Sequence, residues 1–277
     1  GLKSKNIGNL YNVNYITSNY EDVLQDNDID LIFICTRHNN HASLTLKALE
    51  AGKHVFVEKP LATNQKELDN IAAFYSENTE DKKPLLMVGF NRRFSKFAQE
   101  IKKYTDQRIN PLFIHYRMNA GYIPLDHWVH ENGGRIVGEA CHIIDLMTFF
   151  THSQIKSIAC QNLSPSNYKF HPSDNKSIIL KYEDGSVCTL EYFAVGNKEF
   201  PKEYMEVHFD EKTIVMNDFK SLKGYGININ EIKTNKSQKG HFEELEALFN
   251  NLFYNYNESP IPLWDLYQTT QTSINLS

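Results

Sequence analysis

Glu58-Lys59-Pro60 sets a carboxylate, a primary amine and a conformational lock side by side. The three residues follow a short apolar run, His54 to Val57, which itself follows a helical pattern closed by Gly52. That order puts them just past the carboxyl end of a strand in a βαβ unit, the place where open α/β sheets bind ligands. Lys59 is therefore a candidate acid/base; the competing reading is a surface salt bridge with Glu58. A free lysine titrates near ~10.4, so a basic role near neutrality requires desolvation or a neighbouring cation. Glu58 alone would push the other way. A second polar group stands out at His142, on the strongly apolar helical stretch 136–150. Residues 138, 142, 145 and 149 share one face there by three-to-four spacing. That face carries Gly138, His142, Asp145 and Phe149. A lone histidine on such a helix is ordinarily a satisfied core residue. Asp145 reads as structural.

The elements that must position these groups fall into two kinds. Residues 29–36 (IDLIFICT) form a near-continuous apolar run, as expected of a strand buried on both faces of a parallel sheet. Helix 41–51, strand 54–57, amphipathic helix 64–77, strand 85–90 and helix 95–104 follow. This alternation predicts a parallel, doubly wound sheet. After residue 107 the pattern changes to strands at 111–120, 155–161, 177–182, 187–193, 204–209 and 213–216, with helix 136–150 between the first two. Asp184-Gly185 is a hairpin signal, and short turns between successive strands predict a largely antiparallel sheet. Two helices close the chain, at 240–254 and from 263. The expected organisation is a parallel-sheet domain over 1–107 and a second domain over 108–277, with helices on one face of an open sheet. The segment 221–239, rich in Lys, Asn and Gly, is expected to be the least ordered.

A length of 277 residues suffices for two domains and a sizeable core. Net charge is −5 and no basic run is long enough to track phosphates, which argues against nucleic acid. Cys35, Cys141, Cys160 and Cys188 are widely spaced and read as reduced thiols of a cytoplasmic protein. No apolar run approaches the ~20 residues of a membrane span, and the opening Gly1-Leu2-Lys3-Ser4-Lys5, without a following apolar core, leads to the expectation of no signal peptide. His38-x-x-His41 and His127-x-x-His130 each lack a further ligand at a recognisable spacing, so no metal is expected.

The front of the chain is unusual for a dinucleotide-binding layout. No Gly-x-Gly-x-x-Gly occurs. A helix-like stretch 3–11, a strand-like stretch 13–17 and a helix 20–24 precede the strand at Ile29. In the usual strand order the first two strands are interior, and their loss would expose strand edges. The expectation is a truncated Rossmann-like sheet and a fragment of a longer polypeptide.

DIDLIFICTRHNNHASLTLKALEAGKHVFVEKPLATN (28–64) resembles the Gfo/Idh/MocA oxidoreductases, as does GGRIVGEACHIIDLMTFF (133–150). The similarity runs in order along essentially the whole chain. The form GGRIVGEACH after DHWVHENGG is similar to a branch in which this module occurs fused behind a medium-chain alcohol-dehydrogenase-like module. The resemblance implies a Rossmann domain, an α/β second domain with an open antiparallel sheet that mediates homo-oligomers, and hydride transfer between NAD or NADP and a secondary hydroxyl of a sugar, sugar nucleotide or cyclitol. The sequence does not choose between NAD and NADP.

The same resemblance assigns roles. It makes Lys59 and His142 catalytic proton handlers at the reacting hydroxyl and makes the Lys59–Pro60 bond cis. It places Thr36, Arg37, His38 and His41 against the cofactor, with Glu58, Lys59, Pro60, Asn91 and Arg92. Arg37 can bind phosphate or be solvated. Substrate contacts fall to Lys59, His142, Arg93, Tyr122, Trp128 and Glu139. Arg92 and Arg93 can hold an anionic group or merely begin a helix; Trp128 can stack on a sugar or seal the core. Where the inositol-dehydrogenase pattern has an aspartate four residues before the histidine, this chain has Gly138. Glu139 lies about 100° further round an α-helix. It either supplies the missing acid as a third catalytic group or pairs with Arg135. The absent glycine-rich turn and Gly138 also leave open a non-catalytic ligand-binding or oligomerisation module of the same fold.

Overall fold

The computed structural model describes residues 2–77, 83–254 and 259–277. Helices α1 (Leu2–Tyr11) and α2 (Tyr20–Gln25) lead into β1 (Leu31–Ile34), followed by α3 (His41–Glu50), β2 (His54–Val57), α4 (Gln65–Glu77) and β3 (Leu86–Val88). The three strands pair in parallel in the order β1-β2-β3. Their apolar runs are what such a sheet requires: Val55, Val57 and Val88 are fully buried. Among the described residues β1 pairs only with β2, and its Phe33 is 42% exposed. The stretch 13–17 is not a strand. Its Val13, Tyr15 and Ile16 are exposed, and β-propensity without a neighbouring strand does not make a ladder.

After α5 (Lys96–Thr105) the chain enters β4 (Phe113–Asn119) and, past a long connection, a π-helical turn Ile136–Ala140 that runs into α6 (Cys141–Thr151). Then come β5 (Ile155–Asn162), β6 (Asn175–Tyr182), β7 (Val187–Phe193), β8 (Glu203–Phe209), β9 (Lys212–Asn217), β10 (Ser221–Tyr225) and β11 (Ile232–Lys233). The eight strands lie in the order β11-β10-β9-β8-β4-β7-β6-β5. Every pairing is antiparallel except β4 with β7. Phe97 and Ile101 of α5, with Ile143, Met147 and Phe150 of α6, pack against Ile114, Tyr116, Leu190 and Val207 on one face. The other face is open, with Phe113, Ile179 and Tyr225 exposed. Strands β10 and β11 lie in the segment expected to be least ordered. Pairing of β10 along β9, from Ser221↔Asn217 to Tyr225↔Thr213, compensates for its weak apolar pattern.

The last two helices, α7 (His241–Tyr254) and α8 (Leu263–Asn275), return to the first sheet. Leu248 packs with Phe56 and Met87, and Ile261 and Leu266 join Leu61, Leu68 and Leu86. A cut at residue 107 therefore separates the parallel sheet from two of the helices that cover it. Among the described residues, no helix is long and apolar enough to cross a membrane, and no cluster of three or more His, Cys, Asp or Glu side chains could hold a metal.

Candidate active site

The loops after β1 and β2 are fastened together by His41, the first residue of α3. Its Nδ1 lies 2.8 Å from the Pro60 carbonyl and its Nε2 3.0 Å from that of Thr36. A neutral imidazole donates to only one of these. The Lys59–Pro60 bond is cis. Lys59 leaves the sheet and reaches across to the π-helical turn, where its Nζ donates to the Gly138 carbonyl at 2.6 Å. A π turn carries an extra residue and commonly marks a functional site. Glu58 stays with the sheet, its Oε2 only 3.1 Å from where a Cβ on Gly89 would sit.

One turn beyond Gly138, His142 is 6% exposed and its Nδ1 is buried without a partner. Burial, then the charges of Arg92, Lys59, Lys239 and His241, hold its pKa well below the ordinary histidine range. It is thus a neutral imidazole, flanked by the edge of Phe90 with ring centres 6.2 Å apart. On the other side of Lys59, the His38 ring meets Trp128 edge-on at 5.2 Å. Arg37 lies exposed, its guanidinium 5.6 Å from the Trp128 ring centre. Lys59, Gly138, His38 and Trp128 therefore lie together, with His142 one turn beyond Gly138.

Several residues expected at this site are occupied elsewhere. Arg92 is buried and bidentate to Glu203, at 2.8 and 3.0 Å. Tyr116 (2.5 Å) and Lys239 also donate to that carboxylate. Arg93 donates to Asp145 and, at 2.8 Å, to Asp265. The anions these arginines hold are the protein's own, so neither guanidinium is available to a ligand. Asp145 does have the structural place read from its helix face. Glu139 accepts from Tyr192 and Lys202, each at 2.6 Å, and from Arg135 at 3.2 Å. Burial opposes its ionisation, but Lys202, Tyr192 and Arg135 outweigh that and hold it below the usual carboxylate range. Glu139 carries no proton to give, and the Arg135 pairing is realised. Tyr122 faces Phe170 and the Lys169 ammonium instead of Lys59. Asn91 donates to the Lys239 carbonyl at 2.8 Å and contacts His241.

Lys239, His241 and Glu244 gave no signal in the sequence. They are brought in by α7, whose approach requires Gly240: a Cβ there would lie 2.4 Å from the Ser95 nitrogen and 2.5 Å from the Asn91 oxygen. Glu244 is 3% exposed with Oε1 unpartnered. Burial, then Glu58 and Asp145, push its carboxyl up to about 9. Because the folded value exceeds the unfolded one, the stabilising contribution is complete below about 4.5 and is lost as pH rises toward about 9. Glu244→Gln is expected to remove that loss, raising stability at pH 8 by roughly a few kcal/mol with little change at pH 4. Urea unfolding at the two pH values checks it; equal shifts at both would refute it.

Comparison with known proteins matches these two units separately. Residues 2–90 fit a family model described as an oxidoreductase family with an NAD-binding Rossmann fold, and residues 110–215 fit the GFO/IDH/MocA C-terminal domain. The chain is 28% identical over 192 residues to the uncharacterized oxidoreductase YrbE of Bacillus subtilis, covering 68% of this chain and 55% of that one. It is 24% identical to a myo-inositol 2-dehydrogenase of Thermotoga maritima, covering 61% and 51%. It thus spans about half the length of the curated relatives it matches. Among solved structures, levoglucosan dehydrogenase in complex with NADH and L-sorbose superposes with a TM-score of 0.80 at 20% identity, covering all of this chain and 84% of the other. UDP-N-acetylglucosamine 3-dehydrogenase from Acidithiobacillus ferrooxidans gives 0.76 at 17%, covering 95% and 81%. These likenesses establish the shared fold. With both of its units matched by the corresponding models over most of its length, the chain belongs to the Gfo/Idh/MocA oxidoreductase family.

Proposed function

We propose that this protein transfers hydride between NAD(P) and a secondary hydroxyl of a sugar, sugar nucleotide or cyclitol. The observation that carries the reading is Lys59, delivered from the carboxyl end of β2 onto the turn that leads to a buried, neutral His142 with an unpartnered ring nitrogen. That orphaned atom and the convergent loops after β1 and β2 fit the nicotinamide end of a dinucleotide, framed by Thr36, Arg37, His41, Glu58 and Pro60. When bound, the nicotinamide supplies the hydride acceptor for oxidation of the alcohol. Lys59 is placed to hold the reacting hydroxyl, and neutral His142 to accept its proton. Trp128 offers a face for a sugar ring. The open face of the eight-stranded sheet is the proposed contact between copies of the chain.

Fluorescence titration with NADH and NADPH tests the reading. Saturable binding, followed by cofactor-dependent oxidation within a panel of myo-inositol, levoglucosan and UDP-N-acetylglucosamine, is the expected result. Binding of these polyols with no nicotinamide binding would instead support a non-catalytic ligand-binding module.

A further inference from the structure

We propose that His38 is a third substrate-facing group of this site, its imidazole filling the space that a side chain at position 138 would take. This rests on the hydride-transfer reading above. A Cβ built on Gly138 would lie 2.7 Å from His38 Cε1 and 3.4 Å from its Nδ1. The two positions are a hundred residues apart in sequence yet cannot both carry side chains in this arrangement. The Gly138 carbonyl is also the acceptor for Lys59 Nζ at 2.6 Å, so imidazole and amine converge on one residue. The His38 ring is fixed by edge contacts with His41 (5.8 Å) and Trp128 (5.2 Å). Both His41 nitrogens face backbone carbonyls; those of His38 have no hydrogen-bond partner among the described residues.

The chemistry of the group defines its ligand. Burial, then the charges of Lys59 and His41, lower the His38 pKa to about 4. The groups facing it are Lys59, His41 and Trp128; Arg37 lies on the Trp128 ring. At neutral pH it offers one N–H donor and one ring-nitrogen acceptor. A hydroxyl next to the reacting carbinol is itself both donor and acceptor, so a vicinal diol matches this group. A carboxylate at this place would only accept.

The test combines stability with kinetics on the full chain. Gly138→Ala should favour a helix on intrinsic propensity, so a lower melting temperature for that variant reports the clash. We expect Gly138→Ala to melt several degrees below wild type, and to cost little in a His38→Ala background. On whichever panel member turns over, His38→Ala should raise KM by roughly 10-fold, the cost of about one hydrogen bond to substrate. NADH affinity should stay within about threefold, and His38→Gln should recover part of the KM loss. Wild-type KM in His38→Ala overturns the proposal, as does a Gly138→Ala penalty that persists without the imidazole. If Lys59→Ala impairs turnover while His38→Ala does not, the proposal fails alone. If the wild-type chain binds no nicotinamide and oxidises no panel member, the functional reading falls and takes this one with it.

Discussion

Lys59→Ala and His142→Ala are each expected to lower kcat/KM by about 10²–10⁴-fold, the usual range for removing a positioned proton-transfer group. The two should not add fully, because both act on one hydroxyl proton. Lys59→Arg should not rescue, since the planar guanidinium fork is larger than an ammonium and presents its donors in a different geometry. His142 is held neutral by burial and by the cations around it, so its contribution should persist well below pH 6.5 and disappear only when the imidazole is finally protonated. Neither change should unfold the protein. His142→Ala removes a buried unsatisfied nitrogen, which offsets part of the cost of the cavity it leaves. Steady-state rates against pH, with melting temperatures alongside, decide this. Wild-type turnover by the Lys59→Ala, His142→Ala double variant would end the functional reading.

Glu203→Ala is expected to cost about 3–5 kcal/mol, the scale for breaking a buried ion pair from one side. The carboxylate is fully buried and receives Arg92 through two bonds, with Tyr116 and Lys239. Without it, one buried guanidinium and one ammonium lose their counter-charge. Glu203→Gln should lose less, because it keeps an acceptor. Burial opposes ionisation of Glu203, but Arg92 and Lys239 outweigh it and depress the pKa well below the ordinary 4.5. With the folded value below the unfolded one, this stabilisation is complete above about 4.5 and is lost as pH falls further. Urea unfolding at pH 7 and pH 3 should therefore show the wild-type advantage over Glu203→Ala shrinking in acid. A Glu203→Ala loss under 1 kcal/mol at pH 7 would contradict the account.

The sequence made the strand-borne part of the site legible. Strand 54–57 was placed to the residue, because an apolar run followed by Lys-Pro leaves few alternatives. Arg92 and Arg93 show where such reading stops. Their types suggest anion binding, but the anions are Glu203, Asp145 and Asp265, at separations of 111, 52 and 172 residues. Local periodicity carries no information about pairings at that range. Glu139 is a similar case: Arg135 at i−4 is visible, but Tyr192 on β7 and Lys202 just before β8 are 53 and 63 residues away. Gly138 reads in the sequence only as a missing acid. The space is filled from position 38, which only a three-dimensional arrangement could show. The stretch 13–17 has strand composition without a strand to pair with, and β10 has weak composition with a good one.

The return of α7 and α8 to the first sheet also constrains the order in which this protein can be made. Phe56 and Met87 wait for Leu248, and Leu68 and Leu86 wait for Leu266. Arg93 lacks its second counter-ion until Asp265 exists. At a synthesis rate of about 5–20 residues per second, the apolar surface of β1 to β3 would stay uncovered for roughly ten seconds or more until α7 and α8 emerge. High sequence separation between contacting residues slows folding and lengthens exposure to aggregation. The parallel sheet precedes the eight-stranded sheet along the chain, yet it is covered only once α8 has been made. Loss of α8 should leave an insoluble or chaperone-bound product, with no separately folded parallel-sheet domain.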